Sequence, residues 1–136
     1  MTELNLREND IGGQGATGHA EALKVNQTLA ELNLRYNGIG DQGATGLAEA
    51  LKVNQKVTEL NLRDNDIGGQ GATGLAEALK VNSTLRFLNL SYNNIGEMVL
   101  SELYLLQHDG CAILLSDQLP SWDEVFSASD SDFDCK

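Results

Sequence analysis

Two hydrophobic periods alternate along the chain. Around Leu29, Leu32 and Leu34 apolar and polar residues take turns, the pattern of a half-buried strand. After a glycine-rich stretch, Ala44, Leu47, Ala48 and Leu51 form a helical stripe. The same strand, turn and helix recur. LNLRENDIGGQGATGHAEALKVN from Leu4 returns as LNLRYNGIGDQGATGLAEALKVN from Leu32 and as LNLRDNDIGGQGATGLAEALKVN from Leu60, and a fourth copy starts, at the same interval, as LNLSYNNIG at Leu88 before diverging. Asn26, Asn54 and Asn82 close the three helices and Gly110 holds that register in the fourth unit. Asparagine and glycine share tolerance of the left-handed conformation, so a left-handed C′ residue is expected at these positions.

A single strand–helix unit cannot bury its own apolar face, whereas stacked copies share one core. The pattern therefore predicts an α/β solenoid, a short horseshoe with a parallel sheet on the concave side and helices on the convex side. The glycines Gly15, Gly43 and Gly71 are read as points of close approach between units. Val99 takes that place in the last copy.

The motif L-x-x-L-x-L-x-x-N-x-I followed by a helix, as in LAELNLRYNGIGDQGATGLAEALKVN, resembles the leucine-rich repeat in its 28-residue, ribonuclease-inhibitor-like form. The resemblance runs from Met1 to about Ser116 and divides the chain into a solenoid (1–116, units starting near 1, 29, 57 and 85, with a terminal strand near 111–115) and a C-terminal part (117–136). It implies that the recurrent Asn9, Asn37, Asn65 and Asn93 form a hydrogen-bonded ladder at the strand ends. It also implies a protein-interaction function on the concave face. Counting one full repeat on from Leu88 and Leu90 puts Ser116 and Gln118 where core leucines belong, so the solenoid is expected to end there. Ser121 and Glu124 then make a capping box for a short helix whose Trp122, Val125 and Phe126 would cover the last unit.

Charge narrows the function. Nine Lys+Arg against twenty Asp+Glu among 136 residues give −11. Such a surface disfavours nucleic acid and anionic membranes, which require a basic surface. No stretch approaches the roughly 18 apolar residues of a membrane span. The two cysteines, Cys111 and Cys135, are too few for a disulfide framework. A reducing, cytoplasmic setting is expected. Residues 117–136 carry six acids and one base, or −5 of the −11. Within them Ser127, Ser129 and Ser131 each precede an aspartate by three residues, resembling acidophilic kinase sites.

Gly13-Gln14-Gly15-Ala16-Thr17-Gly18 and Gly69-Gln70-Gly71-Ala72-Thr73-Gly74 match the dinucleotide-binding G-x-G-x-x-G between a strand and a helix. The strand before each is too short, the string recurs in tandem, and Asp41 replaces its first glycine in the middle copy. A packing role is preferred. Asp64-Asn65-Asp66 starts like a calcium loop, but Gly68 and Leu75 stand where an oxygen ligand and the closing glutamate belong. His19 and His108 lie on different units, and His108 near Cys111 is read as a solvated pair. No cofactor, metal or enzymatic activity is expected.

Residues flanking the strand leucines point away from the core and align in columns: Glu3, Glu31, Glu59, Phe87; Asn5, Asn33, Asn61, Asn89; Arg7, Arg35, Arg63, Ser91; and Glu8, Tyr36, Asp64, Tyr92. The copies vary mainly here, and Tyr and Arg are enriched in binding hot spots. The candidate partner-binding residues are Glu31, Arg35, Tyr36, Glu59, Arg63, Asp64, Phe87 and Tyr92. The alternative is a structural unit that pairs with itself, as a homodimer, or with further repeats through an open N-terminal edge, which His19 in place of leucine would soften.

Overall fold

The computed structural model describes residues 2–107, 111–115 and 118. Five strands alternate with four helices: β1 (Glu3–Asn5), α1 (Gly12–Val25), β2 (Glu31–Asn33), α2 (Gly40–Leu51), β3 (Glu59–Asn61), α3 (Gly69–Leu79), β4 (Phe87–Asn89), α4 (Glu97–Leu106) and β5 (Ala112–Leu114). The strands form one parallel sheet in sequence order, and Glu3, Glu31, Glu59 and Phe87 are direct neighbours across it. Pairing continues past the strands, since the N–H groups of Leu6, Leu34 and Leu62 donate to Asn33, Asn61 and Asn89 carbonyls at 2.8–2.9 Å.

Between sheet and helices lies one continuous core in which Leu32, Leu34, Ile39, Leu47 and Leu51 of the second unit have largely buried counterparts in the third. Leu4, Leu6 and Ile11 are only partly buried, because nothing among the described residues covers the outer side of the first unit. Burial thus rises inward from β1.

The asparagine ladder holds the strand ends together. Asn37 Oδ1 accepts from the N–H groups of Asn9 (2.8 Å) and Ile11 (3.2 Å), while its Nδ2 donates to the Leu6 (2.9 Å) and Leu34 (3.0 Å) carbonyls. Asn65 and Asn93 accept and donate in the same way one and two units on.

The ladder ends differently from the regular count. Ala112 pairs with Phe87, where a full repeat would have brought Leu115 beside it, so Ile113 and Leu115 take the core positions and Gln118 falls beneath Asn93. Gln118 is therefore no misplaced core residue. Its Oε1 accepts from Ile95 N–H (3.2 Å) and its Nε2 donates to the Leu90 (2.7 Å) and Leu115 (3.2 Å) carbonyls, completing the ladder with a longer side chain. Ser116, Gly110, the expected capping helix at 121–126 and the three serines of the acidic segment lie outside the described residues.

A second correction concerns the helix ends. Asn26 has φ −74° and ψ 132°, and neither Asn54 nor Asn82 has a positive φ, so no left-handed C′ residue forms there. Their side chains explain the recurrence. Asn54 Oδ1 accepts from the Lys56 (2.7 Å) and Val57 (2.8 Å) N–H groups, and its Nδ2 reaches back to the Leu23 carbonyl at 2.7 Å. Asn82 does the same toward Thr84, Leu85 and Leu51. These amides turn the chain into the next strand and bind it to the previous unit, a second ladder on the far side of the core.

Candidate functional site

The face of the sheet turned away from the helices carries the columns read from the sequence, and the strand register brings each into line. The groove above them, about 200 Å³, is lined by Glu3, Glu31, Glu59 and Phe87 on one side and by Asn5, Asn33 and Asn61 along its floor. The asparagine oxygens of this floor accept the N–H two residues on, as in Arg35 N–H to Asn33 Oδ1 (2.9 Å) and Arg63 N–H to Asn61 Oδ1 (3.0 Å). That bond shapes the backbone as it leaves each strand. Immediately beyond, Glu8, Tyr36, Asp64 and Tyr92 adopt left-handed φ of 57–60°, which turns the chain away from the sheet and sets their side chains on the rim.

Charge on this face is segregated. Among the described residues every ion pair lies on the helix side, joining Lys24 to Glu21, Lys52 to Glu49, and Lys80 to Glu77 and Glu102. None links the Glu and Arg columns. Partial burial, with the flanking Glu3 and Glu59 carboxylates, raises the Glu31 carboxyl above its ordinary value of 4.5. The folded state therefore disfavours the ionised form. The resulting destabilisation is present above the folded pKa and disappears below 4.5, where Glu31 is protonated in both states. Glu31→Gln is expected to raise the melting midpoint at pH 7, with the gain shrinking to nothing as pH falls below 4.5 in a pH series of thermal melts. A gain that persists in acid would refute the electrostatic cause.

At the fourth strand the columns change character. Phe87 ends the Glu row and is half-buried, Ser91 ends the Arg row, and the Arg63 guanidinium lies 4.4 Å from the centre of the Tyr92 ring. Arg63 Nε is buried with no hydrogen-bond partner among the described residues, so stacking on the ring supplies its close contact. Ser91 turns inward, its hydroxyl donating to Asn89 Oδ1 at 2.6 Å. Tyr36, 58% exposed, projects from the rim, while Asp64 is half-buried beside Arg63 in sequence. The structure thus brings Arg63 and Tyr92 together and aligns Glu31, Glu59 and Phe87; Arg35 continues the basic row.

The glycine string is a packing device. A Cβ at Gly43 would meet Ile39 Cγ2 and would lie 2.9 Å from Ala16 Cβ of the preceding unit, and one at Gly71 would lie 2.7 Å from Asp41 Oδ1 and 2.9 Å from Ala44 Cβ. At Gly15, which faces no earlier unit, the obstacle is its own unit's Ile11 at 2.7 Å. Asp41, noticed in the sequence only as an exception to the motif, has a role there: its Oδ1 accepts from the Gly68 and Gly71 N–H groups, both at 2.8 Å. A carboxylate of α2 thus occupies the N-terminus of α3, the place a bound phosphate would take. Asp41→Ala removes this cap, and a loss of about 1–2 kcal/mol in urea denaturation is expected. An unchanged midpoint would show that the bonds contribute nothing net.

Half-burial pushes the Cys111 thiol above its ordinary value, against a weaker opposite pull from Arg86, which disfavours the nucleophilic thiolate. Among the described residues no cluster of three or more His, Cys, Asp or Glu is placed to hold a metal, and no helix is long and apolar enough to cross a membrane.

A family profile described as Leucine Rich repeat matches residues 1–18, 25–48, 53–76 and 81–97. The chain belongs to the leucine-rich-repeat family. Among solved structures it is similar to Leiomodin-1 Actin-Binding Site 2, with a TM-score of 0.76 and 27% identity over 93% of this chain and 76% of that one. No curated protein sequence matches.

Proposed function

We propose that this leucine-rich-repeat chain is a non-enzymatic scaffold that binds a protein partner on the open face of its sheet, in a cytoplasmic setting. The observation carrying this reading is the change at the fourth strand, where Phe87 and the stacked Arg63–Tyr92 pair stand at the end of charged columns that carry no internal ion pairs among the described residues. An aromatic and arginine cluster beside a polar groove is the composition of an interface hot spot. Glu31, Arg35, Tyr36, Glu59 and Asp64 would complete the contact.

The similarity to Leiomodin-1 Actin-Binding Site 2 makes actin the first partner to try. Co-sedimentation with filaments and gel filtration with monomeric actin test it directly. Capture from cell extract, with wild type beside Tyr36→Ala/Tyr92→Ala, tests the face without assuming the partner. A protein retained equally by both would move the site elsewhere.

A second reading is supported by β1. As an edge strand it leaves backbone groups unpaired on its outer side, with Leu4 and Leu6 only partly buried. Self-association there would show as a concentration-dependent mass in light scattering; a monomer throughout the range would dismiss it.

A further inference from the structure

The spacing and polarity of the columns restrict what kind of partner segment fits them. Glu3, Glu31 and Glu59 form one row and Arg7, Arg35 and Arg63 another, both running across the strands, with the Asn33 and Asn61 floor between. Neighbouring strands are about 4.8 Å apart, so two steps along a row cover roughly 9.6 Å. Two turns of an α-helix cover about 10.8 Å, whereas two same-face steps of an extended peptide cover roughly 13.4 Å. Over three successive strands a helix lying across them drifts by only about 1.2 Å, whereas an extended peptide drifts by about 3.8 Å, more than a whole residue.

The width agrees. The two rows are four residues apart along each repeat, or about 13 Å at strand rise. An α-helix with its side chains is about 10–12 Å across. The Glu row has no ion-pair partner among the described residues, and neither has the Arg row, so both are left for an incoming segment to neutralise. The Glu31 carboxyl is raised first by partial burial and then by the facing Glu3 and Glu59 carboxylates, which no cation of the described residues offsets. Both charged rows stop at the fourth strand, where Phe87 and Ser91 take their places and the Tyr92 ring lies against Arg63.

We infer that the open face receives one α-helix of a protein partner, lying across the strands, with a basic row against Glu3, Glu31 and Glu59, an acidic row against Arg7, Arg35 and Arg63, and an apolar residue at its end over Phe87. This inference rests on the open-face reading of the preceding section and names the chemistry of its occupant. Basic residues at i, i+4 and i+7 repeat along one flank of such a helix, and acidic residues two positions further on fall on the opposite flank. Opposite charges on both flanks make binding sensitive to salt and set orientation.

The probe is an alanine-based helical peptide with Lys at i, i+4 and i+7, Glu at i+2, i+6 and i+9, and a terminal Leu, labelled and titrated into the full chain at low salt by fluorescence anisotropy. Saturable binding is expected, about tenfold or more tighter than that of a peptide of equal length and charge broken by two central prolines in place of alanines. Glu31→Lys/Glu59→Lys, which makes both flanks basic, should weaken the probe by a similar factor and take up a version with Glu on both flanks. Circular dichroism of that variant separates lost binding from lost fold. Equal binding of the proline-broken peptide, an unsaturable titration, or indifference to the double lysine variant would overturn the helix. The broader reading is judged apart, by whether Tyr36→Ala/Tyr92→Ala loses captured partner: loss there alongside failure of the helical probe removes the helix and leaves the face.

Discussion

Replacing Asn65 by alanine is expected to lower stability by about 3–5 kcal/mol, a large share of what a domain of this size possesses. Asn65 is fully buried and serves two units at once. Its Oδ1 accepts from the N–H groups of Asn37 (2.8 Å) and Ile39 (3.3 Å), and its Nδ2 donates to the Leu34 carbonyl (2.9 Å). Alanine leaves the Asn37 and Ile39 N–H groups buried without partners, each at about 1–3 kcal/mol, while the Leu34 carbonyl keeps its bond from Asn37 Nδ2, and the space is enclosed by neighbouring repeats. Asn9 is the internal control. It occupies the same register but is exposed, and water can replace its bonds to Leu6 and Arg7 carbonyls, so Asn9→Ala should lose less than about 1 kcal/mol. Equilibrium urea unfolding of both variants decides the matter. Equal losses would mean that the ladder contributes by turn geometry alone.

The second large effect is expected from Gly43→Val, at about 3 kcal/mol or more, with failure to fold as the extreme outcome. Even the first carbon of a side chain meets Ile39 of its own unit and Ala16 of the one before, both buried in the packed core. Gly18 lies in α1 with nothing within 4 Å of an added Cβ, so Gly18→Ala should instead stabilise by about 0.5–1 kcal/mol through helix propensity. Thermal melts of the pair read the contrast as shifts of opposite sign. The same direction for both would show that close approach is not what keeps glycine at Gly43.

The repeat made most of the fold legible. Identical spacing identified which leucines face inward, and with them the parallel register and the columns on the open face, because a side-chain period of two admits only one assignment once the core is known. What stayed hidden depended on departures from the period. Gln118 was masked because the step from Phe87 to Ala112 is shorter than every earlier one, so counting by full repeats points to the wrong residue. Asp41 looked like tolerated variation, since its bond partners Gly68 and Gly71 belong to the next unit and carry no side chain to signal a cap. Asn26, Asn54 and Asn82 were legible as recurrent but misassigned to backbone conformation, when the side-chain amide is what each uses. Of the candidate site, the sequence supplied the columns; the stacking of Arg63 on Tyr92 depends on neighbouring strands and on the left-handed turn at Tyr92, neither of which a single repeat displays.

Each asparagine bond of the ladder that crosses between units joins residues 26 to 31 positions apart, and the Gln118 bonds to Ile95 and Leu90 that end it span 23 and 28. The chain therefore never has to close a long loop: each added unit meets the same modest entropy of closure, growing only as the logarithm of a segment about one repeat long. Distance between the chain ends can increase without the search for contacts becoming harder. In such a molecule folding can begin at any adjacent pair of units and spread outward, and duplication of a unit lengthens the open face of the sheet while leaving the kinetic difficulty of each step as it was.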